Sequence, residues 1–182
     1  MSFELLGNTR DDAAGEAIDK IARVIGLGYP GGPKMDKAAQ GGDTTKYVFS
    51  KTHMNDTLDF SFSGIKTSAL NQINKIRMQG EEINIQDFAA SYQQHIANEL
   101  VRNTVFAAKK FGINRICIAG GVSANSFLRN ELRRRGKNFE LYFPEMKYCT
   151  DNAAMIASAG YYAFIDGVRH GLDLNACPSL EL

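Results

Sequence analysis

An excess of charge of either sign is missing from this sequence. Lys and Arg number 21 against 20 Asp and Glu over 182 residues, a formal net charge of +1 at pH 7. No global basic field therefore marks a nucleic-acid binder. Cysteine is scarce, and Cys117, Cys149 and Cys177 are scattered without a CxxC spacing. Such an odd, dispersed set fits a reducing compartment rather than a disulfide framework. No apolar run is long enough to cross a bilayer, the start has no signal-peptide pattern, and no internal repeat is present. The expectation is a soluble, cytoplasmic chain with no membrane partner. The dinucleotide pattern GxGxxG and the Walker loop are absent as well. What is present is a 44% apolar composition, enough to bury a core.

The most informative stretch is a strand, a glycine turn and a helix. Residues 116–119 form a short apolar run with β-branched members, which reads as a buried strand ending at Gly120 and Gly121. Ser123 offers an N-cap hydroxyl, and Leu128, Leu132 and the basic turn Arg133, Arg134 and Arg135 lead to Gly136. Such a corner lets backbone approach a ligand, because side chains are absent at the turn and the helix start presents free N–H groups. Asn125 falls in the first helical turn, where its amide can face a sugar or a base. An ordinary strand-to-helix corner explains the same residues. Likewise Arg129 with Arg133, Arg134 and Arg135 makes either a local basic surface or a solvated helix end that complements the dipole.

Upstream, Ala13, Ala14, Ala17, Ile18, Ile21, Val24 and Ile25 recur at helical spacing after Thr9, a candidate cap, with Asp11 and Asp12 in the first turn. Asp19 lies on the polar side of that helix. The glycine- and proline-rich segment 26–33 predicts a shaped loop, with Gly32 at the cap of a helix whose first residue is Pro33 and Asp36 one turn on. A polar, turn-rich stretch covers 41–54, with 47–49 as a short strand. Alternation over 58–63 predicts a half-buried strand running into a helix capped by Ser63. Lys66 then sits near the positive end of the helix dipole, an unfavourable place unless an anion is near. Asn84, with Asp87 in the capping-box position, opens the longest helix, which ends at Gly112. A strand is expected at 139–144. A final helix follows, capped by Thr150 or Asp151 and running to Gly167, before an irregular tail at 168–182. The order of elements is that of an α/β protein, helix-rich with a small sheet.

Four stretches, NTRDDAAGEAIDKIARVIGLGYPGGP, LDFSFSGIKTS, IAGGVSANSFLR and CTDNAAMIASAGYYAF, resemble in order and spacing the tRNA threonylcarbamoyladenosine transferases, once called glycoproteases. The resemblance covers about residues 5 to 167 and about the C-terminal half of a typical member. It implies the C-terminal, ribonuclease-H-like lobe of a two-lobe actin/Hsp70-like protein, with helical segments 9–40 and 63–112 packed around the α/β part. It also implies transfer of threonylcarbamoyl from threonylcarbamoyl-AMP to N6 of adenosine 37, in tRNAs reading codons that begin with A. By position, Asp19, Gly32 and Asp36 resemble residues that contact the adenylate or an ATP-like nucleotide. Gly120, Gly121 and Asn125 resemble the adenosine motif, and Asp151 the aspartate that binds iron or zinc. The implied partners are tRNA and TsaB- and TsaE-type proteins. No side chain is assigned to catalysis.

The family's HxxxH metal motif and its Gly-Gly-His phosphate loop are missing; His53, His95 and His170 are isolated. One carboxylate does not hold a transition metal, for which three or more ligands are normal. The expectation is an excised part, started by an engineered Met1-Ser2, that is inactive and metal-free alone. Its exposed sheet edge is expected to pair with a second copy. Lys66 is a further candidate for contact with phosphate or tRNA. Three other readings stay open: a metalloendopeptidase, although no HExxH helix is present; a nucleotide-binding or assembly module without catalysis; and a sugar-kinase-like ATPase.

Overall fold

Ala17, Ile18, Ile21 and Ala22 recur at three- and four-residue intervals and turn one face of α1 (Ala14–Val24) into the core. The computed structural model describes residues 3–50 and 57–176; Met1, Ser2, His53, Met54, Cys177 and the end of the tail lie outside the described residues. Next come α2 (Gly31–Ala38), α3 (Ser63–Met78) and α4 (Ile85–Lys110). Strand β1 (Arg115–Cys117) leads through a 3-10 turn, Gly121–Ala124, into α5 (Ser126–Arg135). Strand β2 (Glu140–Tyr142), a second 3-10 turn, Met146–Tyr148, and α6 (Ala153–Ile165) complete the order.

Helix α4 is the spine. Its first half, through Phe88, Ala89, Tyr92 and Ile96, closes a core with α1, α2 and α3. Its second half, through Ala97, Val101, Val105 and Ala108, closes another with Ile116, Leu128 and Leu132. Asn84 caps α4 by accepting from the N–H of Asp87 at 3.1 Å and donating to its carboxylate at 2.8 Å, as the capping-box spacing predicts. Strands β1 and β2 pair in parallel with Ile116 opposite Leu141, connected through α5 as a βαβ unit. The protein is thus helix-rich with a small parallel sheet. On the sheet's other face Arg115, Cys117, Glu140 and Tyr142 are exposed.

Several expected boundaries differ, each because another group takes the backbone's hydrogen bonds. Segment 47–49 is no strand. The N–H of Tyr47 donates to Ser91 Oγ, Val48 O accepts from Gln72, and Phe49 sits edge-on to Phe88 and Tyr92. Segment 58–63 forms a single parallel bridge, Phe60 to Thr9, rather than a strand. Helix α1 starts at Ala14 rather than near Thr9, whose hydroxyl instead donates to Asp12 O at 2.8 Å. Helix α2 begins at Gly31, two residues before Pro33. Ser63 is the first residue of α3 and not its cap, a role taken by Asp11. Asn125 rather than Ser123 caps α5, because Ser123 is held in the 3-10 turn. Asn152, not Thr150 or Asp151, caps α6, accepting from the N–H of Met155 at 3.0 Å. Residues 168–176 of the tail are irregular, as expected.

Candidate functional site

Five of the seven residues singled out from the sequence meet where α1, α2 and the start of α5 converge. Gly31 allows the approach: a Cβ there would lie 2.7 Å from Ala22 Cβ and from Asp19 Cα. With α1 and α2 so close, Asp19 Oδ1 accepts from the N–H of Gly32 at 2.9 Å. Asp19 is therefore half-buried and fastened to the start of α2, not a solvated carboxylate. One turn along α2, Asp36 Oδ1 accepts from both the N–H and the hydroxyl of Ser126, at 3.1 and 2.8 Å. That carboxylate lies at the positive end of α5, where the helix dipole favours it.

Asn125 completes the corner. Its Oδ1 caps α5 by accepting from the N–H of Leu128 at 3.0 Å, and its Nδ2 donates to Gln93 Oε1 at 2.5 Å. An amide has two donor hydrogens and two lone pairs, so one of each remains after these bonds. The glycine turn seats against α1: a Cβ on Gly15, one helical turn before Asp19, would lie 3.1 Å from Val122. Gly120 takes a positive φ of 79°, which a side chain would strain. At Gly32, Gly120 and Gly121 an added Cβ would meet nothing within 4 Å. Packing within this chain therefore gives no reason for glycine at 32 or 121. The surface there is open to the close approach of another molecule. Asp19 Oδ2 and Asp36 Oδ2 accept no hydrogen bond from the described residues. The patch thus offers two carboxylate oxygens and a side-chain-free turn, a set suited to hydroxyl donors and a flat ring.

Asp151 stands apart. It is exposed, and no hydrogen bond or ion pair joins it to the other six. Among the described residues no three His, Cys, Asp or Glu side chains gather to hold a metal. A lone exposed carboxylate does not fit a tight Fe or Zn site. His95 packs edge-on to Phe49.

Two other candidates are occupied inside the chain. Lys66 pairs with Asp12, which also binds Lys20 at 2.8 Å. Hydrogen bonds from Lys20 and then Lys66 hold the Asp12 carboxyl below its ordinary range. The anion that Lys66 needs at the start of α3 is therefore internal. The arginines of α5 are committed too. Arg129 donates to Ser123 O, Pro144 O and Cys149 Sγ, clasping the glycine turn to the exit of β2. Arg134 and Arg135 pair with buried Glu131, and Arg133 lies over the Phe143 ring.

Gln93 escaped the sequence reading. It is fully buried, and besides meeting Asn125 it donates to Met35 O at 3.1 Å, tying α2, α4 and α5 together behind the patch. The available signal was a glutamine beside Tyr92 in the apolar stripe of α4, since such a group must find partners. A groove of about 500 Å³ along α3, lined by Ser63, Thr67 and Asn71 among others, contains none of the predicted residues.

Comparison with known proteins gives this geometry its context. The family pattern described as TsaD, tRNA N6-adenosine threonylcarbamoyltransferase, matches residues 1–158. Among curated relatives, a tRNA N6-adenosine threonylcarbamoyltransferase of Clostridium botulinum is 54% identical over 183 residues, covering 99% of this chain and 54% of its own. Relatives of the same name from Clostridium novyi and Clostridium kluyveri are 51% and 53% identical with the same coverage. The chain thus spans about half the length of the curated relatives it matches. Among solved structures, the crystal structure of T. kodakarensis HypF superposes with a TM-score of 0.62 at 18% identity. That match covers 86% of this chain and 20% of the other, a likeness of fold alone. On the pattern match over residues 1–158, together with relatives identical at about half of the aligned positions, the chain belongs to the tRNA N6-adenosine threonylcarbamoyltransferase family.

Proposed function

We propose that this chain is the C-terminal lobe of an actin/Hsp70-like transferase. The whole protein moves threonylcarbamoyl from threonylcarbamoyl-AMP to N6 of adenosine 37, in tRNAs reading codons that begin with A. Residues 1–182 form one lobe, with the helical segments packed around the α/β part, and the other lobe lies outside this sequence. The observation that carries the reading is the open patch where Asp19, Gly32, Asp36, Gly121 and Asn125 converge. The unused oxygens of Asp19 and Asp36 accept from ribose hydroxyls, and the adenine lies along the bare Gly120–Gly121 turn beside the remaining valences of Asn125. Holding the adenylate there orients its carbamoyl carbon toward the tRNA amine. The amine nitrogen attacks that carbon, the bond to the phosphate oxygen breaks, AMP leaves and the nitrogen loses a proton. Asp151 would supply at most one ligand to the family's iron or zinc ion, which would act as a Lewis acid, and the described residues of this chain alone do not complete such a site.

TsaB- and TsaE-type proteins and tRNA are the partners of the whole enzyme, which works in the cytoplasm. By itself the lobe neither transfers the group nor retains the metal, and it pairs with a second copy through an open edge of its sheet. The test is threonylcarbamoyl transfer to tRNA by this chain, alone and with the complementary segment of the Clostridium botulinum relative, alongside calorimetric titration of the adenylate. Transfer only with both parts, and loss of adenylate binding in Asp19→Ala, are expected. Full activity of the chain alone, or unchanged binding by that variant, overturns the reading.

A further inference from the structure

Tyr29 stands on the loop between α1 and α2 and is 71% exposed. Neither its hydroxyl nor its ring has a partner among the described residues. The loop that presents it is fastened at both ends. The N–H of Leu27 donates to Ala22 O at 2.9 Å, and Leu27 packs against the core of α1, α2 and α3. Two residues after Tyr29, Gly31 is seated against Ala22 and Asp19. A single exposed aromatic is ordinary on a protein surface. The charges around this one are not. Arg23 precedes the loop, Lys34 and Lys37 follow it, and none of the three has an ion pair among the described residues. Arg77 joins them from α3 by donating to Val24 O at 2.9 Å, and it has no carboxylate partner among the described residues either.

The negative ends of α1 and α2 account for Arg23, Arg77 and Lys37, since cations are favoured there. Lys34 has no such excuse. It lies in the first turn of α2, at the positive end, and that turn carries no acidic residue. Its ammonium folds back over the loop, 3.4 Å from where a Cβ on Gly28 would be. Lys66, in the same place on α3, meets its anion inside the chain in Asp12; Lys34 meets none among the described residues. A ring free to stack, among cations free to meet phosphates, is what single-stranded nucleic acid requires. The loop leads into Gly32, no more than about 11 Å of chain from Tyr29, so a base on the ring stands beside the Asp19–Asp36 patch. Resting on the transferase reading above, we infer that Tyr29 is a specificity-determining residue for the RNA substrate: it stacks on an unpaired base of the anticodon loop while Arg23 and Lys34 hold the adjoining phosphates. A duplex keeps its bases stacked inside and offers the ring nothing. An acidic peptide would use the cations but gives the ring no flat partner.

The test is fluorescence anisotropy with an RNA hairpin that carries the anticodon loop of a tRNA reading a codon beginning with A, against the same stem closed as a plain duplex. The whole chain is used, alone and with the segment of the Clostridium botulinum relative that lies outside the match. Because Tyr29 is exposed, Tyr29→Ala leaves the thermal midpoint in place. It is expected to weaken hairpin binding about tenfold, the size of one lost base stack, and to leave duplex binding as it was. Tyr29→Phe keeps the ring and binds like the wild type. Lys34→Gln is expected to weaken both RNAs and to make the salt dependence shallower by about one unit of slope. Equal hairpin binding by the wild type and Tyr29→Ala overturns the inference, as does no hairpin binding in either preparation. So too if Tyr29→Phe is as weak as Tyr29→Ala, if Lys34→Gln keeps the full salt slope, or if polyglutamate competes as well as the hairpin. Adenylate titration separates this site from the reading on which it rests. Hairpin binding that depends on Tyr29 without any adenylate binding supports the stacking site and counts against the adenylate patch. Adenylate binding that falls in Tyr29→Ala, with the hairpin unaffected, places the ring on the adenylate and overturns the inference.

Discussion

Asp36 on α2 and Ser126 on α5, ninety positions apart, share one carboxylate oxygen: Asp36 Oδ1 accepts from both the backbone N–H and the hydroxyl of Ser126. The bond locks the two helices that carry the candidate patch and leaves the second oxygen without a partner among the described residues. Structure and binding can therefore be separated. Asp36→Ala removes the acceptor, and the chain is expected to lose about 1–2 kcal/mol of stability, the usual value of a side-chain acceptor at a helix start. Asp36→Asn keeps an acceptor for Ser126 and costs about half as much. Urea unfolding of the two variants is the check, and equal losses would show that the charge, not the acceptor, does the locking.

A second carboxylate gives a pH dependence. Asp11 accepts from the hydroxyls of Ser61 and Ser63, at 2.5 and 2.6 Å, and from the N–H groups of Phe62 and Ser63 at the start of α3. Burial alone would raise its pKa, but these four hydrogen bonds outweigh it and bring the value from 3.8 to about 2. A group depressed in this way stabilises the fold above its unfolded value, and the contribution fades as pH falls from near 4 toward 2. Because the side chain is exposed, the gain is about 1 kcal/mol. Asp11→Asn is expected to flatten the stability profile between pH 4 and 2. A wild-type profile already flat there would show that solvent competes for these donors.

Particular residues mark where the sequence was legible. The stripes of α1 and α4 and the Asn84–Asp87 box could be read directly, because period and capping are local properties. The strand-glycine-helix corner was legible too, and so were five residues that the fold then brings together. The caps were not. Asp11 serves a helix some fifty residues away, and Asn125 took the cap expected of Ser123 because a 3-10 turn intervenes. Strands 47–49 and 58–63 failed for a different reason. Their alternation records which side chains face inward, whereas a strand also needs a neighbour to pair with, and side chains of α3 and α4 took that place at 47–49.

Gln93 should matter more than its lack of charge suggests. It is buried, accepts from Asn125 and donates to Met35 O. Gln93→Leu preserves bulk but takes the acceptor from the half-buried Asn125 Nδ2 and removes one of the two bonds to Met35 O, which still accepts from the N–H of Ala39 at 3.0 Å. The expected loss is about 1 kcal/mol, the usual net value of a hydrogen bond removed without burying a bare charge. Adenylate binding should weaken in parallel, because Asn125 loses the contact that orients it. Denaturation and titration on the same variant test both, and unaltered stability would mean that a water molecule takes over the bridge.

Ser123 carries the opposite expectation. It is 1% exposed, and its hydroxyl has no hydrogen-bond partner among the described residues. Its carbonyl, by contrast, accepts from Arg129 Nε at 2.6 Å and keeps the 3-10 turn in place without help from the side chain. Burying an unsatisfied hydroxyl costs about 1–3 kcal/mol. Ser123→Ala therefore removes a penalty while leaving the turn's backbone contacts intact, and the chain should become more stable by about 1 kcal/mol in urea. Ser123→Val serves as the contrast, because two added methyl groups must be accommodated where there was one oxygen, and overpacking opposes the gain. Destabilisation by Ser123→Ala would show that the hydroxyl is satisfied in solution by a bound water, making this position part of the corner's hydration rather than a defect in its packing.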